Sequence, residues 1–268
     1  MKKVIPWLLV VLLVRTPTTV NGQVVVTTSL LESVVKELAG HQLSVNVLVT
    51  SNLCPGHADV GVEKMAFLER CQLFLAHGFE PYLPRLEKSI FSLREKKGLI
   101  SLPGNWQIPA VHLQAAILVN DTLCSFFPDK ATFFRNRLNH LSESLKKLDR
   151  DIQRQVSSSG WLALPVICNS HLADLCAYLG LKVVATYGSK EDFSPELLAS
   201  LLKEGKTAGV KLIIDNLQAG RDTGKSLAND LEAKHIVFSN FPGEESLPGL
   251  LKNNLEKIFH VWRSFGFP

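Results

Sequence analysis

The segment Cys54-Pro55-Gly56-His57 places two metal-binding side chains on either side of a Pro-Gly turn. Neutral imidazole is the commonest protein ligand of divalent transition metals, and a thiolate favours zinc or monovalent copper. Apolar runs before and after the segment indicate a loop that follows a strand. We therefore predict His57 and Cys54 as metal ligands. The alternatives are an exposed loop histidine, and a cysteine that is free or disulfide-bonded to Cys168.

Three further candidate ligands lie in the second half of the chain. His171 stands at the start of a helix, where the positive end of the helix dipole favours neutral imidazole. Asp215 ends the apolar run "VKLIID", from which its carboxylate can point into a cleft as a hard oxygen ligand. Its alternative role is to cap the helix that follows. Cys168, in the loop before His171, is a third candidate.

The order of elements predicts how these residues are positioned. Short β-branched runs alternate with helical patterns in both halves of the chain, which indicates mainly parallel α/β sheets. Between the halves, about 30 residues without Gly or Pro form one amphipathic pattern typical of a long helix. We predict an α/β fold with two lobes joined by a long backbone helix. The predicted segments are a signal peptide (1–22), an N-terminal lobe (23–127), the helix (128–158) and a C-terminal lobe (159–268).

The first residues predict export. "MKK" followed by the apolar run "VIPWLLVVLLV" and the small residues before Gln23 is typical of a cleavable secretory signal peptide. Removing Lys2, Lys3 and Arg15 with it lowers the formal charge from +4 to about +1. This balance gives no support to nucleic-acid binding, which would need a strong basic excess. Five cysteines are an odd number, so at least one is free or bound to something else.

Pieces of both halves carry a family resemblance. In chain order they are "LLESVVKELAG", "LERCQLFLAHGFEPYLPRL", "HLADLCAYLGLKVVATYG", "VKLIIDNLQ" and "HIVFSNFPG". Their order and spacing resemble the periplasmic metal-binding proteins of zinc and manganese ABC importers, in which a rigid backbone helix joins two α/β lobes. The resemblance covers nearly all of the chain after the signal peptide. It implies that loops of both lobes supply the metal ligands, with His57 and His171 among them.

The chain departs from that family in its second ligand loop. The family usually has a histidine shortly before a tryptophan, whereas "LPGNWQIP" has Gly104 or Asn105 at that place before Trp106. The late aspartate of the manganese binders is Asn240 here, and the long loop rich in histidine and acidic residues is absent. Asn240 and Ser239 are candidates for donors around the metal or for a weak oxygen ligand. The chain therefore resembles a divergent branch of the family.

The resemblance implies a function. We expect a periplasmic solute-binding protein that captures a divalent transition metal, zinc first and manganese or copper next, and delivers it to an ABC permease in the inner membrane. We expect a protein that is not an enzyme, since the chain has neither a Gly-x-Ser-x-Gly nor a His-Glu-x-x-His motif. We also expect a monomer. The missing second histidine favours a metal chelate or another small solute as the alternative ligand. A metallochaperone or redox protein that uses Cys54 and Cys168 is a further alternative.

Overall fold

A computed structural model describes residues 22–56, 58, 60–90 and 92–265. The predicted signal peptide lies outside the described residues except for Gly22. The first half of the chain forms a four-stranded parallel sheet in the order β2-β1-β3-β4. Its strands are β1 (Gly22–Thr28), β2 (Leu43–Val49), β3 (Leu73–Ala76) and β4 (Lys97–Leu99). Its helices are α1 (Ser29–Ala39), α2 (Val62–Arg70), α3 (Leu83–Ser89), α4 (Leu93–Lys96) and α5 (Pro109–Phe126).

The second half forms another four-stranded parallel sheet, in the order β6-β5-β7-β8. Its strands are β5 (Pro165–Asn169), β6 (Lys182–Tyr187), β7 (Leu212–Asn216) and β8 (Lys234–Phe238). Its helices are α7 (Ala173–Tyr178), α8 (Pro195–Ala208), α9 (Lys225–Asp230) and α10 (Leu247–Ser264). Both sheets have the predicted parallel pairing, and the prediction of a two-lobed α/β fold is confirmed.

The long helix α6 (Ala131–Ser157) joins the two lobes. Its 27 residues span about 40 Å at 1.5 Å per residue. Phe134, in its first half, packs into the core of the N-terminal lobe, whereas Ile152 and Val156 pack into the core of the C-terminal lobe. One rigid element is therefore part of both cores. No helix within the described ranges has the combination of length and hydropathy that crossing a membrane requires.

Both sheets are covered by helices on their two faces. Val24, Val25 and Val26 of β1 are fully buried, although successive side chains of a strand point to opposite faces. Val24 and Val26 face α1 and α5, whereas Val25 faces α2 and α3. In the C-terminal lobe, β7 divides in the same way: Ile214 faces α7 and α10, and Ile213 faces α8 and α9. This alternation decides which way the polar residues near the strand ends point.

Candidate metal site

The lobes meet through loops that follow strands of both sheets. Residues of the N-terminal lobe in these loops hydrogen-bond to residues of the C-terminal lobe. The participants are Ser51 after β2, Asn105 and Gln107 after β4, His171 after β5, Gln218 after β7, and Ser239 and Asn240 after β8. Ligands of open α/β sheets bind outside the carboxyl ends of the strands. The cleft between the lobes is therefore the expected location of a ligand-binding site.

Cys54 lies in the loop between β2 and α2 and is half-buried. A Cβ atom placed on Gly56 would lie 3.6 Å from the Cys54 sulfur, so the thiol folds back over the Pro-Gly turn. The carbonyl of Ser51, at the start of the same loop, accepts a hydrogen bond from Gln218 at 2.7 Å. Hence the loop is fixed to the C-terminal lobe at its beginning. His57 lies outside the described residues, and its role as a ligand stays a prediction.

His171 lies in a 3₁₀ turn (Ser170–Leu172) that connects β5 to α7, and it is exposed. Its backbone N–H donates to the side-chain oxygen of Asn169 at 3.1 Å. Its backbone carbonyl accepts from Asn240 at 3.1 Å and from Asn105 of the other lobe at 3.4 Å. The backbone of His171 is thus held at the cleft while the imidazole is accessible, an arrangement suited to a ligand.

Asp215 points away from the cleft, contrary to the orientation expected from the sequence. The carboxylate is fully buried and accepts hydrogen bonds from Tyr187 at 2.6 Å and from the backbone N–H of Gly224 at 3.1 Å; the His235 ring lies 2.6 Å from it. Strand alternation is the reason, because Asp215 shares the face of Ile213. Gly224 is the N-cap of α9, so the carboxylate takes the capping role that was its alternative.

Cys168 also differs from expectation, since it lies within β5 rather than in a loop. Its side chain is fully buried in the core beneath α7 and α10. Cys176 hydrogen-bonds to Cys168, and this contact together with burial raises the pKa of the Cys176 thiol well above its usual range. All five cysteines are free thiols, including Cys54, so the structure contains no Cys54–Cys168 disulfide. Metal ligation by Cys168 would require the core to open.

Several side-chain carboxamides form hydrogen bonds across the cleft. The Asn105 amide group donates to the Asn240 side-chain oxygen at 2.8 Å, and Asn254 donates to Gln107 at 2.8 Å. Sequence reasoning singled out Asn240 but missed Gln107 and Asn254. For Gln107 the signal was present as the clustering of Asn and Gln in loops after strands, in "GNWQ" and "DNLQ", whereas Asn254 lies within α10 and carried no such signal. It was overlooked because neutral carboxamides are neither typical metal ligands nor part of a hydrophobic period.

A second buried polar cluster lies at the carboxyl edge of the N-terminal sheet. Glu80 is buried and accepts from the backbone N–H groups of His77 and Gly78 at 2.9 and 2.8 Å, and from the Thr27 hydroxyl. The His77 ring contacts Thr28 at 2.8 Å through Nε2 and packs edge-on against Trp106. Burial lowers the pKa of His77, although Glu80 and the Ile100 carbonyl oppose this. Buried His77 and Trp106 therefore pack against each other at this edge of the sheet.

The donors available for a metal are few. Among the residues that the structure describes, no group of three or more His, Cys, Asp and Glu side chains could hold a metal ion. A cavity of about 330 Å³ opens between α1 and residues 242–246, but none of the predicted ligands lines it. Of the predicted ligands that the structure describes, two lie in loops that follow strands: exposed His171 in the C-terminal lobe and half-buried Cys54 in the N-terminal lobe. A closed site of four ligands would need His57 in addition.

Two parallel-sheet lobes share one long helix and meet at a cleft, which defines a two-lobed α/β architecture. Residues 24–260 match the model of the family described as zinc-uptake complex component A, periplasmic. The chain belongs to this family. The predicted family is therefore confirmed, and the match covers both lobes and the helix between them.

Relatives with curated names are more distant. Zinc-binding protein AdcA of Streptococcus pyogenes serotype M6 is 26% identical over 143 residues, which are 53% of this chain and 28% of the relative. The AdcA proteins of serotypes M18 and M1 match to the same extent. This chain thus spans little more than a quarter of the length of these relatives, so their activity is carried over only as a proposal.

Solved structures support the fold. The crystal structure of ZnuA has a TM-score of 0.75 at 16% identity, covering 89% of this chain and 98% of that one. The periplasmic zinc-binding protein TroA of Treponema pallidum has a TM-score of 0.75 at 16% identity, covering 90% and 99%. A manganese-bound periplasmic metal-binding protein of Candidatus Liberibacter asiaticus has a TM-score of 0.76 at 14% identity, covering 90% and 99%. At such identities the likeness is one of fold alone.

Proposed function

We propose that this chain is a periplasmic receptor, not an enzyme, that captures a divalent transition metal between its lobes and delivers it to an ABC permease of the inner membrane. The family match over residues 24–260 carries this proposal. The position of His171 at the cleft supports it, because an accessible imidazole there can meet a metal held by the other lobe. Export by a cleavable signal peptide and a monomeric state belong to the same proposal.

The proposed donor set is His57 and Cys54 from the N-terminal lobe and His171 from the C-terminal lobe. Imidazole and thiolate donors favour zinc or monovalent copper over manganese, which prefers carboxylate and carbonyl oxygens. Zinc is therefore the proposed cargo. Asp215 and Cys168 are the weaker candidates, because each would have to leave the buried contacts that it makes inside the C-terminal lobe.

The metal content of the purified protein tests the proposal. We expect about one zinc ion per chain in the mature protein purified without a tag, as in a closed site. The ion should be lost in His57→Ala and in His171→Ala, because each removes an imidazole ligand. Its loss in Cys54→Ser as well would make the thiolate a direct ligand. Elemental analysis of the folded proteins measures this.

The matched control is His140→Ala, which removes an exposed histidine from α6, far from the cleft loops. This variant should retain the metal of the parent chain. The absence of metal from the parent chain, even after incubation with zinc, copper and manganese, would contradict capture of a free ion. Equal zinc in His57→Ala, His171→Ala and the parent would contradict the donor set instead.

A further inference from the structure

Five carboxamide side chains hydrogen-bond across the cleft, and backbone groups fix their orientations. The backbone N–H of Gln107 donates to the Asn105 side-chain oxygen at 3.0 Å, so the Asn105 amide group must face the other lobe. Asn240 donates its amide group to the carbonyl of His171 and therefore presents its oxygen to Asn105. The backbone N–H of Asn240 fixes Gln218 in the same way. No amide can be turned around without placing two donors or two acceptors together.

Asn105 links the N-terminal lobe to the turn that carries His171. The amide group of Asn105 reaches both the Asn240 side-chain oxygen, at 2.8 Å, and the His171 carbonyl, at 3.4 Å. Gln107 donates to the Ser239 carbonyl at 3.0 Å, beside Asn240. Asn105 and Gln107 are both buried, with exposed fractions of 9% and 2%. The His171 carbonyl thus accepts hydrogen bonds from side chains of both lobes.

We propose that Asn105 and Asn240 form a carboxamide clamp that joins the lobes before metal arrives and positions His171 for ligation. They are positioning residues for the metal-capture function proposed above. Neutral amide bonds need no charged partner, so the clamp forms equally well in the metal-free chain. A ligand that is already in place spares the metal the cost of ordering it, which raises affinity. Asn105 and Asn240 therefore contribute to metal affinity without touching the ion.

Two isosteric substitutions separate the clamp from a local effect. Asn105→Asp keeps the acceptor for Gln107 N–H but loses the donor, and places a carboxylate against the Asn240 oxygen and the His171 carbonyl. Asn240→Asp has the same change in charge but keeps the oxygen that accepts from Asn105 and Gln107. The bond between the lobes should therefore be lost in the first variant and kept in the second. Asn120→Ala, which removes a buried carboxamide of α5, is the control for stability.

Hydrogen exchange in metal-free protein, read on the lobe opposite the substitution, distinguishes the variants. We expect Asn105→Asp to speed exchange at residues 239–241 about tenfold, as the loss of a hydrogen bond to a partner predicts. Asn240→Asp should leave exchange at residues 104–107 within about twofold of the parent, and Asn120→Ala should leave both segments unchanged. Asn105→Ala, which removes the same donor without adding a charge, provides the same test if Asn105→Asp does not fold. Unchanged exchange across the cleft in either Asn105 variant would overturn the clamp.

Zinc titration then tests the positioning role separately from metal capture itself. In competition with a chelator, Asn105→Ala should bind zinc about tenfold more weakly than the parent, and Asn120→Ala should bind it equally well. Equal zinc affinity of Asn105→Ala and the parent would overturn the positioning role. If the parent binds no zinc, the proposed function fails, whereas the exchange experiment still decides whether the clamp exists.

Discussion

Each lobe buries a carboxylate with a histidine, but the two lobes connect these groups differently. In the C-terminal lobe the His235 ring lies directly against the Asp215 carboxylate, at 2.6 Å, and Tyr187 and Gly224 complete its partners. In the N-terminal lobe the Glu80 carboxylate accepts from the backbone of His77, and the His77 ring turns instead to Thr28. A carboxylate and a histidine therefore interact through their side chains in the C-terminal lobe. In the N-terminal lobe the carboxylate instead accepts from the histidine backbone.

The difference arises from where each carboxylate stands on its sheet. Asp215 lies inside β7, and its side chain can reach only what the covered face offers, which is Tyr187 and the start of α9. Glu80 lies beyond β3, in a turn with free backbone N–H groups for it to accept from. Burial raises the pKa of Tyr187, and the nearby Asp215 carboxylate raises it further. Tyr187 therefore stays a protonated donor to Asp215.

Removal of Asp215 should have the largest effect. Asp215→Ala leaves Tyr187, Gly224 and His235 without their shared acceptor in a fully buried place. We expect the free energy of unfolding to fall by about 3–5 kcal/mol, as when one partner of a buried pair is removed. Urea denaturation measures this, with the exposed Asp222→Ala as the control. A loss below about 1 kcal/mol would show that the cluster does not stabilise the lobe.

Sequence reasoning predicted most of the fold, because the spacing of apolar residues and the order of the elements can both be read along the chain. The alternation of β-branched runs with helical patterns identified the two sheets, and the long amphipathic segment identified α6. The four-residue helix α4 was missed, since so short a segment carries no measurable period. Parallel strands need a crossover connection, which is usually a helix. The alternation of strands and helices on either side of the long helix therefore predicted two lobes.

The candidate site was less predictable, because side-chain direction depends on where a strand ends. One residue more or less in a strand moves a side chain to the other face. Cys168 was assigned to a loop and Asp215 to the cleft, but both lie inside strands and point into the C-terminal lobe. His171 was predicted at the start of a helix, and it lies in the 3₁₀ turn between β5 and α7, two residues after the strand. The carboxamides of the cleft follow no period, so only tertiary structure brings them together.

Removal of Glu80 should have a smaller effect than removal of Asp215. Glu80→Ala takes the acceptor from the backbone N–H groups of His77 and Gly78 and from the Thr27 hydroxyl. These groups lie at a turn that water reaches more readily than the interior of β7, so we expect a loss of about 2 kcal/mol. Urea denaturation of Glu80→Ala beside Asp215→Ala measures the order. The exposed Glu95→Ala should change stability by less than about 0.5 kcal/mol. A larger loss for Glu80→Ala than for Asp215→Ala would reverse the comparison.

The smallest effect should be a difference in pH dependence. Because burial lowers the pKa of His77 below its usual 6.5, the unfolded chain binds a proton that the folded chain refuses. The stability that neutral His77 contributes is therefore complete above about pH 6.5 and is lost as pH falls below it.

His77→Gln keeps a polar side chain against Thr28 but cannot titrate. Between about pH 7.5 and about pH 5, the parent should lose about 1 kcal/mol more than this variant. Urea denaturation at both pH values measures the difference, and His140→Gln on the exposed face of α6 should behave like the parent. Parallel pH profiles for the parent and His77→Gln would mean that His77 accepts a proton as easily in the folded chain as in the unfolded chain. Burial in the N-terminal cluster would then not disfavour the charged form of His77.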